Sequence, residues 1–149
     1  MPRWSPERKN IVLGLDLSRP CDPLTAFAFE EAAAWGALLR VVHVWNECKV
    51  YGYAAAPLDP RLMGDLRTEE ARGLTRALTS WRQTFPGVRV EEQVLDGAAA
   101  QRLIETGEAA DLLVVGRRKR RPAVGARIGP VAHGVLHHAA CPVAVVPHD

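Results

Sequence analysis

Short apolar runs alternate with helical patterns along this 149-residue chain, and this alternation restricts the fold more than any other feature. Ile11–Leu15 has the pattern of a buried strand. Leu24–Leu38 has apolar residues at helical spacing, with Asp22 as the expected N-cap and Pro23 at the first helical position. Leu39–Trp45 is a second strand pattern. Two strands separated by one helix predict a βαβ unit and hence a parallel sheet.

The same alternation continues toward the C-terminus. The later predicted elements are a helix from Leu62 to Trp81 that ends before Pro86 and Gly87, a strand Val88–Leu95, a helix Ala98–Ala109, a strand Asp111–Val115 that ends at Gly116, a helix Val131–His138 and a strand Pro142–Pro147. Residues 46–60 are predicted to form a loop. We therefore expect one doubly wound α/β domain over residues 1–149, with helices on both faces of a mostly parallel sheet.

The amino-acid composition argues against several classes of protein. A hydrophobic fraction of 48% and a charged fraction of 24% are ordinary for a globular protein. The three cysteines, Cys21, Cys48 and Cys141, include no CxxC pair, which argues against a disulfide framework and a zinc site. We expect no secretory signal in the charged N-terminal decapeptide and no membrane span in residues 128–146, which contain Gly, Pro and His. The expected location is the cytoplasm.

The charge of the chain is concentrated in one segment. Arg117–Arg127 contains six basic residues and no acidic one, whereas the whole chain has a net charge of only +2. The segment could bind a polyphosphate, a nucleotide or an acidic partner, or it could be a solvated loop whose charges repel one another. It has no aromatic residue, so nucleic acid is a poor candidate for its ligand.

Ligands of open parallel sheets bind beyond the carboxyl ends of the strands, where the winding direction reverses. The loop after the first strand begins at Asp16, and the loop after the fourth begins at Gly116 and includes Lys119. Gly129, directly before a predicted helix, could direct backbone N–H groups toward a phosphate. There is no Walker-type Gly-Lys-Ser/Thr and no GxGxxG after the first strand.

Histidine and serine patterns do not predict catalysis. His133 and His137 are four residues apart on the last predicted helix, but no carboxylate or cysteine stands beside them at ligand spacing. We expect both to be exposed helix residues, and we expect His43 to pack within the sheet. The three serines include no nucleophile elbow. The sequence therefore predicts neither a catalytic residue nor a metal ligand.

Four segments together resemble universal stress proteins. These segments are Ile11–Ser18, Val42–Val44, Leu112–Arg117 and Val135–Pro147, and the similarity covers the chain after residue 9. The resemblance implies a five-stranded parallel sheet with strand order 3-2-1-4-5, of the adenine nucleotide alpha hydrolase-like type. It also implies a homodimer formed through the last strand, Val143–Val146.

The ATP-binding members of that family carry a Gly-x2-Gly-x9-Gly-Ser/Thr signature. Gly116 and Gly129 match its first and third glycines, whereas Lys119 replaces the second glycine and Pro130 replaces the Ser/Thr. Lys119 adds a side chain where the backbone would approach the phosphates, and Pro130 removes a hydroxyl and an N–H. We expect an impaired phosphate site.

By the same resemblance, Asp16 and Val44 would flank an adenine or ribose, and ATP is a candidate cofactor. The leading hypothesis is a regulatory or binding protein of the universal stress type without catalytic activity of its own. A second hypothesis is a nucleotide switch that uses the basic residues 117–127 for phosphates. A third is an enzyme of the related adenine-binding superfamily, which the absence of additional active-site motifs disfavours.

Overall fold

The computed structural model describes residues 9–19, 21–45, 60–118 and 130–148. These residues form a five-stranded parallel sheet with strand order β3-β2-β1-β4-β5, which confirms the predicted topology. The elements in chain order are β1 (Asn10–Gly14), α1 (Asp22–Trp35), β2 (Leu38–Trp45), α2 (Pro60–Thr84), β3 (Arg89–Asp96), α3 (Ala99–Gly107), β4 (Leu112–Arg118), α4 (Pro130–His138) and β5 (Val143–His148). Of the predicted loop residues 46–60, Pro60 is instead the first residue of α2, and residues 46–59 lie outside the described ranges.

The central strand β1 lies between β2 and β4. Its register pairs Val12 with Arg40 of β2 and with Leu113 of β4. The chain winds from β1 toward β2 and β3 on one side and reaches β4 and β5 on the other, so the winding direction reverses between β1 and β4. This reversal brings the carboxyl ends of β1 and β4 to the edge of the sheet where ligands bind in such folds.

The start of α1 differs from the prediction. Cys21, not Asp22, is the N-cap, and Asp22 is the first residue of the helix. The carbonyl of Cys21 accepts the N–H of Thr25 at 3.1 Å and the hydroxyl of Thr25 at 3.0 Å. Because the first helical hydrogen bond ends on Cys21, the helix begins one residue earlier than the position of Asp22 as a cap would require.

The end of α1 was predicted too late. The helix ends at Trp35, and Gly36 adopts a left-handed conformation with φ of 62°. The N–H of Ala37 then bonds to the carbonyl of Ala32 at 2.9 Å, which closes the helix and directs the chain into β2.

The predicted end of β4 at Gly116 was also wrong. The strand continues to Arg118 because β5 pairs with it over the same length, with Gly116 opposite Val146 and Arg118 opposite His148. Glycine weakens a strand because it is flexible and has no side chain to pack, but here the pairing with β5 holds the strand through Gly116.

Two apolar clusters cover the two faces of the sheet. One lies under α1 and α2 and the other under α3 and α4. Alternate residues of β1 point to opposite clusters, Leu13 to the first and Val12 to the second. Within the described ranges, no helix has the length and apolar character needed to cross a membrane.

Candidate functional site

Asp16 lies at the carboxyl edge of the sheet, two residues after the end of β1, and is exposed. Its Oδ1 accepts the backbone N–H of Ser18 at 3.0 Å and the Ser18 hydroxyl at 2.6 Å. The Asp16 carbonyl accepts the N–H of Arg19 at 3.1 Å. This Asx-type turn fixes the Asp16 carboxylate at the edge of the sheet.

The peptide before Asp16 is held by β2. The N–H of Leu15 donates to the carbonyl of Val42 at 2.9 Å, and the carbonyl of Leu15 lies 3.1 Å from Nδ1 of His43. The other ring nitrogen of His43 lies 2.7 Å from a carboxylate oxygen of Glu70 in α2. The Leu15 backbone is therefore connected to both β2 and α2.

The expectation that His43 packs within the sheet is confirmed, because it is 5% exposed. Its pairing with Glu70 was missed. The two residues are 27 positions apart and belong to different elements, so no local pattern in the sequence joins them. The signal available was a histidine in a buried strand, which needs partners for two ring nitrogens.

Val44 comes to the same edge as Asp16. Asp16 and Val44 each lie two residues beyond the paired residues Gly14 and Val42. The side chain of Val44 is half-buried and packs against the cluster under α3 and α4, whereas Leu15 belongs to the cluster under α1 and α2. The structure therefore brings the two predicted residues to neighbouring strand ends.

The packing of neighbouring side chains explains why residue 116 is a glycine. A Cβ atom at this position would lie 3.0 Å from the ring of His148 and 3.1 Å from a methyl group of Leu24. The side chains of α1 and β5 thus occupy the space that a larger residue would need. Its match to the nucleotide signature is explained by this packing as well as by a ligand.

The phosphate end of the predicted site is only partly described. Lys119 and Gly129 lie outside the described residues, as does most of the basic segment Arg117–Arg127. Pro130 is the first residue of α4 and is exposed. Since proline has no N–H, the start of α4 offers one donor fewer to an anion than the family signature would.

A cavity of about 330 Å³ opens beside Asp16. It lies between the segment after β1, the start of α1 and the middle of α2, with Leu17 and Trp81 among its apolar lining residues and Arg76 among its polar ones. This volume is at the lower end of the range of small-molecule sites.

Cys21 lines the same cavity as Asp16, whereas Cys141 and the α4 histidines are distant from Asp16 along the chain. Cys21 is a buried free thiol, and Cys141 is a half-buried free thiol. Burial raises the pKa of the Cys141 thiol, and the nearby Asp111 carboxylate adds to the increase. His133 and His137 are exposed, as expected, with ring centroids 4.4 Å apart. No group of three potential metal ligands occurs in the ranges that the structure describes.

Comparison with known proteins gives one consistent result. The model of the universal stress protein family matches residues 7–147. A universal stress protein of Mycobacterium tuberculosis is 30% identical over 140 residues, which are 94% of this chain and 46% of that protein. The chain therefore spans about half the length of the curated relatives it matches.

Solved structures agree with this match. A universal stress protein from Archaeoglobus fulgidus is 26% identical, with a TM-score of 0.69 over 94% of this chain and 99% of that one. A universal stress protein from the same organism in complex with dAMP is 23% identical, with a TM-score of 0.63 over 93% of this chain and 97% of that one. One in complex with cAMP is 22% identical, with a TM-score of 0.59 over 95% of this chain and 98% of that one. The last two similarities show the shared fold.

Proposed function

Because the chain belongs to the universal stress protein family, we propose that it is a regulatory binding protein, without catalytic activity of its own, whose ligand is an adenine nucleotide with one phosphate. The observation that carries this proposal is the exposed Asp16 carboxylate at the carboxyl edge of β1, fixed by its two bonds from Ser18. A carboxylate at the carboxyl edge of a parallel sheet can accept hydrogen bonds from ribose hydroxyls.

The preference for one phosphate is supported by the start of α4. Pro130 supplies no N–H there, and Lys119 stands where the family signature has glycine. A lysine ammonium acts as a point charge toward phosphate, whereas a triphosphate needs a longer row of donors. The complexes of the two neighbours with dAMP and cAMP support a ligand of this class.

Calorimetric titration with AMP, dAMP and Mg-ATP tests the proposal. We expect AMP to bind, ATP to bind more weakly, and a Lys119→Gly, Pro130→Ser double variant to improve ATP binding. Asp16→Asn should weaken AMP binding by about tenfold, the value of one charge-assisted hydrogen bond. Glu30→Gln is the matched control, because Glu30 is an exposed carboxylate on α1 that does not line the cavity beside Asp16.

The alternatives predict different results. Tighter binding of ATP than of AMP by the natural protein would favour the nucleotide switch in which residues 117–127 hold the phosphates. Absence of all nucleotide binding until the double variant restores it would contradict the proposal and mean that the fold was kept without its ligand. Nucleotide turnover that depends on Asp16 would contradict the proposed lack of catalysis.

We also propose that two copies associate through β5. This strand is at the edge of the described sheet, where it pairs with β4 alone, and Val143–Val146 are half-buried. An apolar edge strand favours pairing with another chain. Light scattering at rising concentration should show a dimer, and a monomer throughout would contradict this part of the proposal. The cytoplasmic location stays a prediction, which fractionation of cells would test.

A further inference from the structure

His43 is buried and contacts two acceptors at once. Its side chain is 6% exposed, Nδ1 lies 3.1 Å from the carbonyl oxygen of Leu15, and Nε2 lies 2.7 Å from a carboxylate oxygen of Glu70. A carbonyl oxygen can only accept a hydrogen bond, so Nδ1 carries a hydrogen. The bond to Glu70 then requires a second proton, because a neutral Nε2 would face the ionised carboxylate with its lone pair.

We propose that the imidazolium form of His43, paired with Glu70, positions the Leu15–Asp16 segment of the nucleotide site, so that ligand affinity depends on this proton. The positively charged ring donates to Leu15 on one side and to Glu70 on the other. Hydrogen bonds of this charge-assisted kind are about twice as strong as neutral ones. His43 and Glu70 are positioning residues, since neither is placed in contact with the ligand.

The connection from the ring to the site is short. The Leu15 carbonyl belongs to the peptide bond that joins Leu15 to Asp16, and the Leu15 N–H is held by Val42 at 2.9 Å. Both ends of Leu15 are therefore bonded to β2. Loss of the His43 bond leaves the Leu15 carbonyl without that donor, and the orientation of the Asp16 carboxylate is less well determined.

Several other charged groups on the surrounding elements have partners of their own. On the segment after β1, Asp16 accepts from Ser18. On α2, Arg67 pairs with Asp96 of β3 and Arg76 pairs with Glu69. On β3, Glu92 pairs with Arg82 of α2. Among the described residues, Glu70 is the ionisable group that contacts His43.

The pH dependence follows from the proton count. The two hydrogen bonds are complete when the ring holds both protons. Only the bond to Glu70 is lost when the ring gives up one proton, because the hydrogen stays on Nδ1 and the Nε2 lone pair then faces the Glu70 carboxylate. The repulsion displaces the ring and weakens its bond to the Leu15 carbonyl. AMP affinity should therefore fall as the pH increases.

Glu70→Gln separates this mechanism from simple packing. The amide has nearly the shape of the carboxylate but can donate its N–H to a neutral Nε2. We expect the natural protein to bind AMP about tenfold more weakly at mildly alkaline than at mildly acidic pH. Glu70→Gln should bind with nearly the same affinity at both. Asp65→Asn, which changes an exposed carboxylate on α2 outside the cavity beside Asp16, is the matched control and should keep the natural pH dependence.

The test by AMP affinity depends on the proposed function, whereas a second test, by NMR, does not. Nitrogen-15 NMR of histidine-labelled protein should show both His43 ring nitrogens protonated at mildly acidic pH and only Nδ1 protonated when the pH is raised. In Glu70→Gln, the ring should be neutral, with the hydrogen on Nδ1, across the same range. A neutral ring in the natural protein at mildly acidic pH, or a hydrogen on Nε2 alone, would overturn the inference.

The two readouts distinguish the failures. If the NMR result holds and no nucleotide binds, the proposed function fails and the assignment of the protonated His43–Glu70 pair stands. If AMP binds with equal affinity at both pH values in the natural protein, the positioning role is overturned while the proposed function stands. His43→Gln gives a further check, because it should lower AMP affinity at mildly acidic pH and remove the pH dependence.

Discussion

The two faces of the sheet are packed by different means. Under α1 and α2, the ring of Phe29 stacks on Trp81 at a centroid distance of 5.9 Å and contacts Phe85 at 5.5 Å. Under α3 and α4, the described core is aliphatic, and small residues allow close approach. A Cβ at Gly14 would lie 2.8 Å from Leu103, and one at Gly134 would lie 3.1 Å from Ala100.

The two faces should therefore respond differently to substitution. Large rings contribute stability through the apolar area they remove from water, so the first face should be sensitive to loss of volume. The second face has little spare space beside its glycines, so it should be sensitive to added volume. The His43–Glu70 pair lies on the first face, where α2 contacts β2.

The largest expected effect is on the aromatic face. Phe29→Ala should lower the free energy of unfolding by about 3–5 kcal/mol, because Phe29 is fully buried and its loss leaves a cavity. Urea denaturation measures the change. Leu136→Ala is the control, since Leu136 is 43% exposed and its loss should have little effect. Equal losses for the two variants would contradict the assignment of Phe29 to the core.

A smaller effect should appear on the opposite face. Gly14→Ala should cost about 1–3 kcal/mol, because the added methyl group must displace the buried Leu103. Gly64→Ala in α2 meets no atom within 4 Å and should instead stabilise the protein by about 0.5–1 kcal/mol through helix propensity. Thermal unfolding would compare them, and a stabilising Gly14→Ala would show that this face has spare space.

Gly36, which ends α1, has a left-handed backbone conformation that favours glycine. Gly36→Ala should cost about 1 kcal/mol, because a residue with a Cβ is strained at φ of 62° although nothing lies within 4 Å of it. Gly87→Ala is the control, since Gly87 has equal space and does not have a positive φ. Chemical denaturation of the two variants should differ, and identical stabilities would contradict the conformational explanation.

The two described cysteines lie on opposite faces of the sheet and should differ in their rates of alkylation. Cys21 lies in the cluster under α1 and α2, and Cys141 packs against the cluster under α3 and α4. Because the pKa of the Cys141 thiol is raised, its thiolate fraction at neutral pH is smaller than that of an ordinary cysteine, and it increases only at higher pH. Alkylation followed by peptide mass spectrometry should be slow at Cys141 near neutrality and accelerate as the pH rises.

Cys21 provides the contrast in the same experiment. It is 6% exposed, so its alkylation should be limited by opening of the structure rather than by its ionisation. Rapid alkylation of Cys141 at neutral pH would contradict the raised pKa. Rapid alkylation of Cys21 would contradict its burial at the start of α1.

Most of the fold could be predicted because its signals are local. The alternation of Ile11–Leu15, Leu24–Leu38 and Leu39–Trp45 follows from hydrophobic periodicity within each segment, and right-handed crossovers then restrict the topology. The ends of the helices and strands were less predictable. Gly36 ends α1 through its left-handed conformation, and Gly116 continues β4 because β5 pairs with it.

The candidate site could likewise be predicted only in part from the sequence. Asp16 and Val44 were expected at strand ends, and the structure brings them to the same edge of the sheet. Lys119 and Gly129 remain predictions, since they lie outside the described residues. Glu70 had no signal in the sequence, because its partner His43 is on another element and the contact exists only when α2 lies against β2.

The sequence by itself determined the order of the elements, the parallel sheet and the family, because periodicity and short motifs are properties of neighbouring residues. The tertiary structure alone decided which side chains meet across elements: Phe29 with Trp81, His148 with Gly116, and His43 with both Leu15 and Glu70. The physical reason is that packing and hydrogen bonding between distant segments depend on the distances and directions that exist only after the sheet has formed.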